Sequence, residues 1–138
     1  MERHTRQRQA VLDALAGSGR TLSPPDILTL AQRQAPRLNL STVYRQIKVL
    51  EEEGVVLRVQ LPGLPARFEA RCAEHPHGGH AQAQHHHHHF HCLACGQVMP
   101  IHGCPGPMHE LAPAGCEVER HDLVLHGRCA SCAEGARA

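Results

Sequence analysis

The sequence has few aromatic residues and no long hydrophobic run. Its 138 residues include one tyrosine, two phenylalanines and no tryptophan, which excludes a large aromatic core. No apolar stretch approaches the length of a membrane-spanning helix, and the first residues lack the apolar centre of a signal peptide. We therefore expect a cytoplasmic protein that has no membrane partner.

Histidine and cysteine are almost absent from the first half of the chain. All seven cysteines and thirteen of the fourteen histidines follow residue 71, and residues 5–74 contain no histidine. The net charge is also uneven, at +3 for residues 1–70 and −2 for residues 71–138. The sequence therefore predicts a mildly basic region and a second region rich in metal ligands.

The first region has the pattern of three helices followed by a two-stranded hairpin. Apolar residues recur at helical spacing three times, Ser23 and Ser41 are suitable N-caps, and Pro62-Gly63 forms a turn between alternating segments. The predicted elements are helices over 5–16, 23–34 and 42–53 and strands over 55–60 and 66–70. This order predicts a winged-helix DNA-binding domain over residues 1–72.

The third predicted helix would be the recognition helix. Its first turn presents hydroxyl, phenol and guanidinium groups, which can contact base edges and phosphates. These groups belong to Ser41, Thr42, Tyr44 and Arg45. Lys48 and Arg58 can add phosphate contacts, although basic residues also occur on ordinary solvated faces.

A linker over residues 73–84, rich in His, Gly, Ala and Gln, precedes the second region, 85–138. The predicted elements there are strands over 90–92, 98–101 and 116–126 and a short helix over 105–113. Such a lobe, with an open strand edge, is suited to dimerisation. The fold class predicted for the whole chain is α/β (α+β): a winged-helix domain and a small α/β dimerisation domain.

Two cysteine pairs in the second region have the spacing of a closed zinc site. Cys92 and Cys95 form one C-x-x-C pair, and Cys129 and Cys132 form the other. Four thiolates in a tetrahedral arrangement favour zinc, whereas a disulfide or a redox dithiol is the alternative. Because paired cysteines in the cytosol are more often metal ligands than disulfides, we predict a structural zinc ion.

Five consecutive histidines, His85 to His89, run into the first cysteine pair. In an extended segment His87 and His89 face one side and His86 and His88 the other, so one strand can supply two metal sites. A solvated low-complexity run is the alternative. Cys72 and His121 are each ordinary residues when considered alone, but beside this strand they become candidate ligands.

Several motifs together resemble the ferric-uptake-regulator (Fur) superfamily over nearly the whole chain. They are Ser41-Thr42-Val43-Tyr44-Arg45, the segment from Val49 to Gly54, Phe68-Glu69, the histidine run into Cys92-x-x-Cys95-Gly96, and His121 before Cys129. The resemblance implies a dimeric, metal-sensing winged-helix repressor and not an enzyme. It also implies that Tyr44 and Arg45 contact operator DNA and that Arg8 contacts a phosphate.

The chain is most similar to the zinc-uptake-regulator branch of that superfamily. Iron, manganese and peroxide sensors commonly use a histidine from the DNA-binding domain, whereas Cys72 resembles a thiolate ligand of the zinc branch. A thiolate with imidazoles prefers zinc to Mn(II) or Fe(II). The implied sensing site is Cys72, His87, His89 and Glu69. The implied third site is His86, His88 and His121, completed by Glu110 or Cys104.

These features predict a zinc-responsive transcriptional repressor that binds palindromic operator DNA as a homodimer. One zinc would be structural, and a second divalent metal, zinc by this argument, would be regulatory. The alternatives are an iron-, manganese- or peroxide-responsive regulator and, more remotely, a metal-storage or delivery protein. A zinc enzyme is disfavoured because the sequence has no H-E-x-x-H motif and no histidine-x-glutamate before its C-x-x-C pairs.

Overall fold

The computed structural model describes residues 2–71, 88–103 and 106–135. By its internal contacts the chain divides into two compact units, Met1–Gly78 and Gly79–Ala138. Among the described residues, no helix has both the length and the apolar character needed to cross a lipid bilayer.

The N-terminal unit begins with three helices, as the sequence predicts, although their bounds differ. They are α1 (Glu2–Ser18), α2 (Pro24–Ala31) and α3 (Leu40–Glu52). Ser23 caps α2 as predicted: its hydroxyl accepts from the Asp26 N–H, and the Asp26 carboxylate accepts from the Ser23 N–H. Helix α2 ends three residues earlier than predicted, and residues 32–34 form a turn before Pro36.

The residue that caps α3 is Asn39, so the prediction of Ser41 was wrong. The Asn39 side-chain oxygen accepts from the Thr42 N–H at 2.9 Å, and the Ser41 hydroxyl donates to the same oxygen at 2.8 Å. Ser41 instead occupies the second position of the helix. At the other end Gly54, with φ of 71°, adopts the left-handed conformation that ends a helix.

The hairpin packs on the helices through its apolar face. Strands β1 (Val56–Val59) and β2 (Arg67–Ala70) are antiparallel, with Arg58 opposite Phe68. Phe68 is buried among apolar side chains from all three helices, and its backbone exchanges two hydrogen bonds of 2.8 Å with Leu22. Three helices followed by this hairpin have the element order of a winged-helix domain.

The C-terminal unit is built on a three-stranded mixed sheet. Strand β3 (His88–Cys92) lies between β4 (Val98–Ile101), which is antiparallel to it, and β5 (Val124–Gly127), which is parallel. A single turn of 3-10 helix, Met108–Leu111, and a short helix α4, Ala130–Gly135, complete the regular structure of the described residues.

Three expectations for this unit need correction. The long strand predicted over 116–126 is wrong, because β5 covers only the four residues that pair with β3. The helix predicted over 105–113 is reduced to four residues. Helix α4 was missed, and its six residues are too few for the sequence to show a helical period.

Candidate metal centre and nucleic-acid surface

The four predicted cysteine ligands form one cluster in the C-terminal unit. Their Sγ atoms all lie within 4.8 Å of one another. Cys92 ends β3 and Cys95 lies in the turn after it, whereas Cys129 follows β5 and Cys132 lies in α4. Among the described residues, this is the only group of three or more histidine, cysteine or acidic side chains placed to share a metal ion.

Backbone hydrogen bonds bring the two cysteine pairs together. The Gly96 N–H donates to the Cys92 carbonyl at 2.9 Å, and Gly96 takes a φ of 76°, which closes the first turn. The Leu93 N–H then donates to the Gly127 carbonyl at 2.8 Å. This bond continues the parallel β3–β5 pairing and places the turn beside the residues that follow β5.

The cluster has the donor set and the spacing that a zinc ion requires. Two sulfurs on one tetrahedral zinc lie about 3.8 Å apart, given bonds of about 2.3 Å. The Cys95 and Cys129 sulfurs are 3.8 Å apart, and all four cysteines are free thiols. The residues therefore fit a closed zinc site that uses only soft sulfur ligands.

The thiols of the cluster differ in acidity because they share hydrogen bonds unequally. The Cys129 N–H donates to the Cys92 sulfur at 3.2 Å and, with bonds from Cys95, lowers the pKa of Cys92 to about 6. Hydrogen bonding to the Cys129 thiol raises the pKa of Cys132 to about 12. Zinc binds cysteine as the thiolate, so metal binding must displace the protons that the cluster holds.

Two of the predicted third-site ligands meet inside the same unit. The Nε2 atoms of His88 and His121 are 3.2 Å apart, and His88 is fully buried. The Leu123 N–H donates to Nδ1 of His88 at 3.2 Å. Glu110 is exposed on the 3-10 helix and does not join this pair, while His86 and Cys104 lie outside the described residues.

The predicted sensing-site residues are described only in part. Glu69 is buried in β2, at 4% exposure, and His89 is buried in β3. These two residues belong to different units. Cys72 and His87 lie outside the described residues.

Helix α3 presents a polar, basic face to solvent, opposite the face that packs on the core. Tyr44 is 53% exposed, and Arg45 and Lys48 are exposed beside it. Ser41 is also exposed, and Thr42 is half-buried. The side chains that α3 buries lie on the other face and are Val43, Gln46, Ile47 and Leu50.

The two other predicted DNA contacts are already held by acidic residues near the end of α3. The Arg8 guanidinium forms a two-point ion pair with Glu53. Arg58 contacts Glu51 at 2.9 and 3.2 Å and lies 5.3 Å from the centre of the Phe68 ring. A phosphate at either arginine would have to compete with a carboxylate.

One pair of histidines was not expected from the sequence. The Nδ1 atoms of His91 and His126 are 3.3 Å apart on adjacent strands. Sequence reasoning gave neither residue a role, because the contact depends on the register of two strands more than thirty residues apart. The alternation of side chains along β3 could be inferred from the sequence, but the residue of β5 that pairs with His91 could not.

The chain is similar to known proteins over almost its whole length. The ferric uptake regulator family model matches residues 2–126. The ferric uptake regulation protein of Staphylococcus aureus is 26% identical over 130 residues, covering 94% of this chain and 88% of that protein. The peroxide operon regulator of Bacillus subtilis is 27% identical over 136 residues, covering 96% and 85%.

A solved structure of a zinc uptake regulator complexed with zinc and DNA is also similar. It is 28% identical, with a TM-score of 0.60, and the match covers 96% of this chain and 84% of that one. The names of these three relatives refer to iron, peroxide and zinc. They therefore agree on the family but differ on the metal or oxidant that is sensed. The chain belongs to the ferric uptake regulator family, whose members are metal-responsive transcription regulators and not enzymes.

Proposed function

We propose that this chain is a zinc-responsive repressor that binds palindromic operator DNA as a homodimer when its sensing site holds zinc. The choice of zinc depends on one observation, the absence of histidine from residues 5–74. That part of the DNA-binding unit can supply no imidazole to a sensing site, so its softest available ligand is the thiolate of Cys72. A thiolate beside imidazoles favours zinc over Fe(II) and Mn(II).

The proposal assigns three metal sites. Cys92, Cys95, Cys129 and Cys132 hold the structural zinc. The sensing site consists of Cys72, His87, His89 and Glu69. The third consists of His86, His88 and His121, completed by Cys104 or, after a movement that brings it to the pair, by Glu110. Zinc bound at the sensing site would supply a bridge from Cys72 and Glu69 to the histidine strand and so favour one arrangement of the DNA-binding units.

Metal binding at the third site requires a change in the hydrogen bonding of His88. Two nitrogens on one tetrahedral zinc lie about 3.3 Å apart, close to the 3.2 Å between His88 and His121. A ring that binds metal through Nε2 keeps its proton on Nδ1, where it cannot accept a hydrogen bond. Binding there therefore requires His88 to turn its ring or to give up the bond from the Leu123 N–H.

The DNA contacts assigned to the chain follow from its exposed recognition face. They are Arg8, Ser41, Thr42, Tyr44, Arg45, Lys48 and Arg58. Arg8 and Arg58 must first leave Glu53 and Glu51, so we expect Tyr44, Arg45 and Lys48 to contribute more of the affinity. In a dimer, two such helices would read half-sites about 34 Å apart.

A regulator of the same family that responds to iron, manganese or peroxide is the second candidate. The relatives named for iron uptake and for a peroxide operon favour it. The two candidates differ in which metal restores DNA binding after the exchangeable ions are removed.

The deciding experiment uses the full-length protein after mild chelation that leaves one zinc per chain. DNA duplexes that bind the protein loaded with zinc, Fe(II) or Mn(II) are selected in parallel from a random pool, and each selected set is then used in shift assays with all three metals. We expect added zinc to restore binding, and Fe(II) or Mn(II) to fail at the same free concentration. Restoration by Fe(II) or Mn(II) but not by zinc would overturn the zinc assignment.

A cysteine variant tests the sensing site separately from the structural site. Cys72→Ser should lose metal-dependent DNA binding and still keep one tightly held zinc. Cys116→Ser is the matched control, because Cys116 is exposed and lies outside the four-cysteine cluster. Regulated binding at wild-type strength in Cys72→Ser would remove that residue from the sensing site.

A further inference from the structure

His91 and His126 face each other across the parallel pair of strands β3 and β5. They stand in register, and their Nδ1 atoms are 3.3 Å apart. The rings meet nearly edge to face, at 77°, with their centres 5.5 Å apart. Both side chains reach solvent, so an ion can approach the two nitrogens from outside the sheet.

This separation matches the distance between two imidazole ligands on one metal ion. With zinc–nitrogen bonds of about 2.0–2.1 Å and a tetrahedral angle, the two nitrogens lie about 3.3–3.4 Å apart. Imidazole nitrogens suit Zn(II), Cu(II) and Ni(II) better than Mg(II) or Ca(II). Coordination through Nδ1 would leave each Nε2–H directed away from the ion, free to donate to water or backbone.

Neither histidine is among the metal ligands assigned above, although His91 shares a face of β3 with His89. Along β3 the side chains alternate, so His91 lies on the face opposite Phe90 and Cys92. On β5, Gly127 lies against the Phe90 ring, which places His126 on the same face as His91. No third histidine, cysteine or acidic group joins the pair within the part of the chain that the structure describes.

We propose that His91 and His126 form an additional two-histidine site for zinc or a similar divalent transition metal, bound through the two Nδ1 atoms. Water would take the remaining coordination positions, so the site holds its ion less tightly than four thiolates do and exchanges it more readily. A metal at this point ties β3 to β5, one residue before Cys92 and three before Cys129. The site does not depend on which metal the regulator senses.

A single shared proton is the competing explanation of the contact. One N–H donating to the other nitrogen also fits 3.3 Å, since that distance lies near the range of hydrogen bonds. The two explanations differ in their response to added metal. A metal site changes both Nδ1 atoms together, whereas a hydrogen bond alone leaves them as they are.

The test follows the histidine nitrogens of the full-length protein by nitrogen-15 NMR while Zn²⁺ is added. The protein starts with its four-cysteine site filled, and the addition continues past the equivalents that fill any tighter sites. We expect the Nδ1 signals of His91 and His126 to move to metal-bound positions at one common zinc concentration. Unchanged signals up to millimolar zinc, or a change of Nε2 instead, would overturn the proposal.

Two variants make the test reciprocal. His91→Gln should abolish the zinc-dependent change at His126, and His126→Gln should abolish the change at His91, each with on the order of a tenfold or greater loss of affinity. His109→Gln is the control, because His109 is exposed on the 3-10 helix and is not a ligand of any proposed site. One retained zinc per chain confirms that each variant is folded. Persistence of the full change at His126 in His91→Gln would also refute the shared site.

Discussion

Each of the two units of this protein is stabilised by a different kind of buried side chain. The N-terminal unit has a continuous apolar core that joins α1, α2, α3 and the hairpin. Its largest fully buried apolar side chains are Leu22, Ile27, Leu50, Val11, Val43 and Val56. Each such side chain removed from water contributes about 1.5–3 kcal/mol, so we expect this unit to fold without a metal ion.

The C-terminal unit has no comparable core. Val98 and Cys92 are the only buried residues of the hydrophobic class among its described residues, and they are joined by the buried imidazoles of His88 and His89. Leucines are exposed instead, Leu111 at 80% and Leu93 at 66%. Imidazole and thiol side chains are buried where another domain of this size would place apolar side chains. We therefore expect a metal ion, a dimer interface or both to stabilise this unit.

Removal of one ligand from the four-cysteine cluster should have the largest effect on the difference in stability between the two units. Cys132→Ser should release the structural zinc and unfold the C-terminal unit while leaving α1 to α3 intact. Metal binding supplies about 10–16 kcal/mol of apparent folding free energy in small zinc domains, far more than this unit's apolar burial can replace. Hydrogen exchange measured by segment, with zinc content, gives the readout.

Cys116→Ser is the control for that experiment, since its thiol is exposed and outside the cluster. It should keep its zinc and its exchange protection. If strands β3 to β5 stay protected in Cys132→Ser, the unit has a source of stability other than the metal. If α1 to α3 lose protection as well, the two units do not fold independently.

The same contrast explains how much the sequence could predict. Periodic apolar residues determine the helices and hairpin of the first unit, so their presence and order were predicted, with errors only at the ends. The four cysteines were predicted because their chemistry and spacing are specific. Strand β5 and helix α4 could not be bounded, since they depend on pairing with β3 and on metal ligands. The His91–His126 contact required the strand register, which no local pattern contains.

A substitution in the apolar core should lower the stability of the N-terminal unit. Leu50 is fully buried in α3, so Leu50→Ala should lower the stability of the N-terminal unit by about 2–5 kcal/mol through lost contacts and a cavity. Zinc content should not change. Urea unfolding followed by the helical circular dichroism signal, with parallel zinc analysis, measures both effects.

Leu40→Ala provides the matched comparison, because Leu40 lies on the same helix at 37% exposure. Its cost should stay within about 0.5 kcal/mol. Loss of zinc from Leu50→Ala at temperatures where Leu40→Ala retains it would show that the metal centre depends on the apolar core. The two units would then not be stabilised independently.

The smallest expected effect distinguishes the cap seen in the structure from the one predicted. Asn39→Ala removes the acceptor of the Thr42 N–H and should cost about 1 kcal/mol, within the range of about 0.5–2 kcal/mol for such caps. Ser41→Ala removes only an exposed hydroxyl bonded to Asn39 and should cost less than about 0.5 kcal/mol. Asn39→Asp keeps an acceptor and should restore most of the stability. None of the three substitutions should alter zinc content. Urea unfolding of the three variants orders them, and a larger cost for Ser41→Ala than for Asn39→Ala would reinstate Ser41 as the residue that begins the recognition helix.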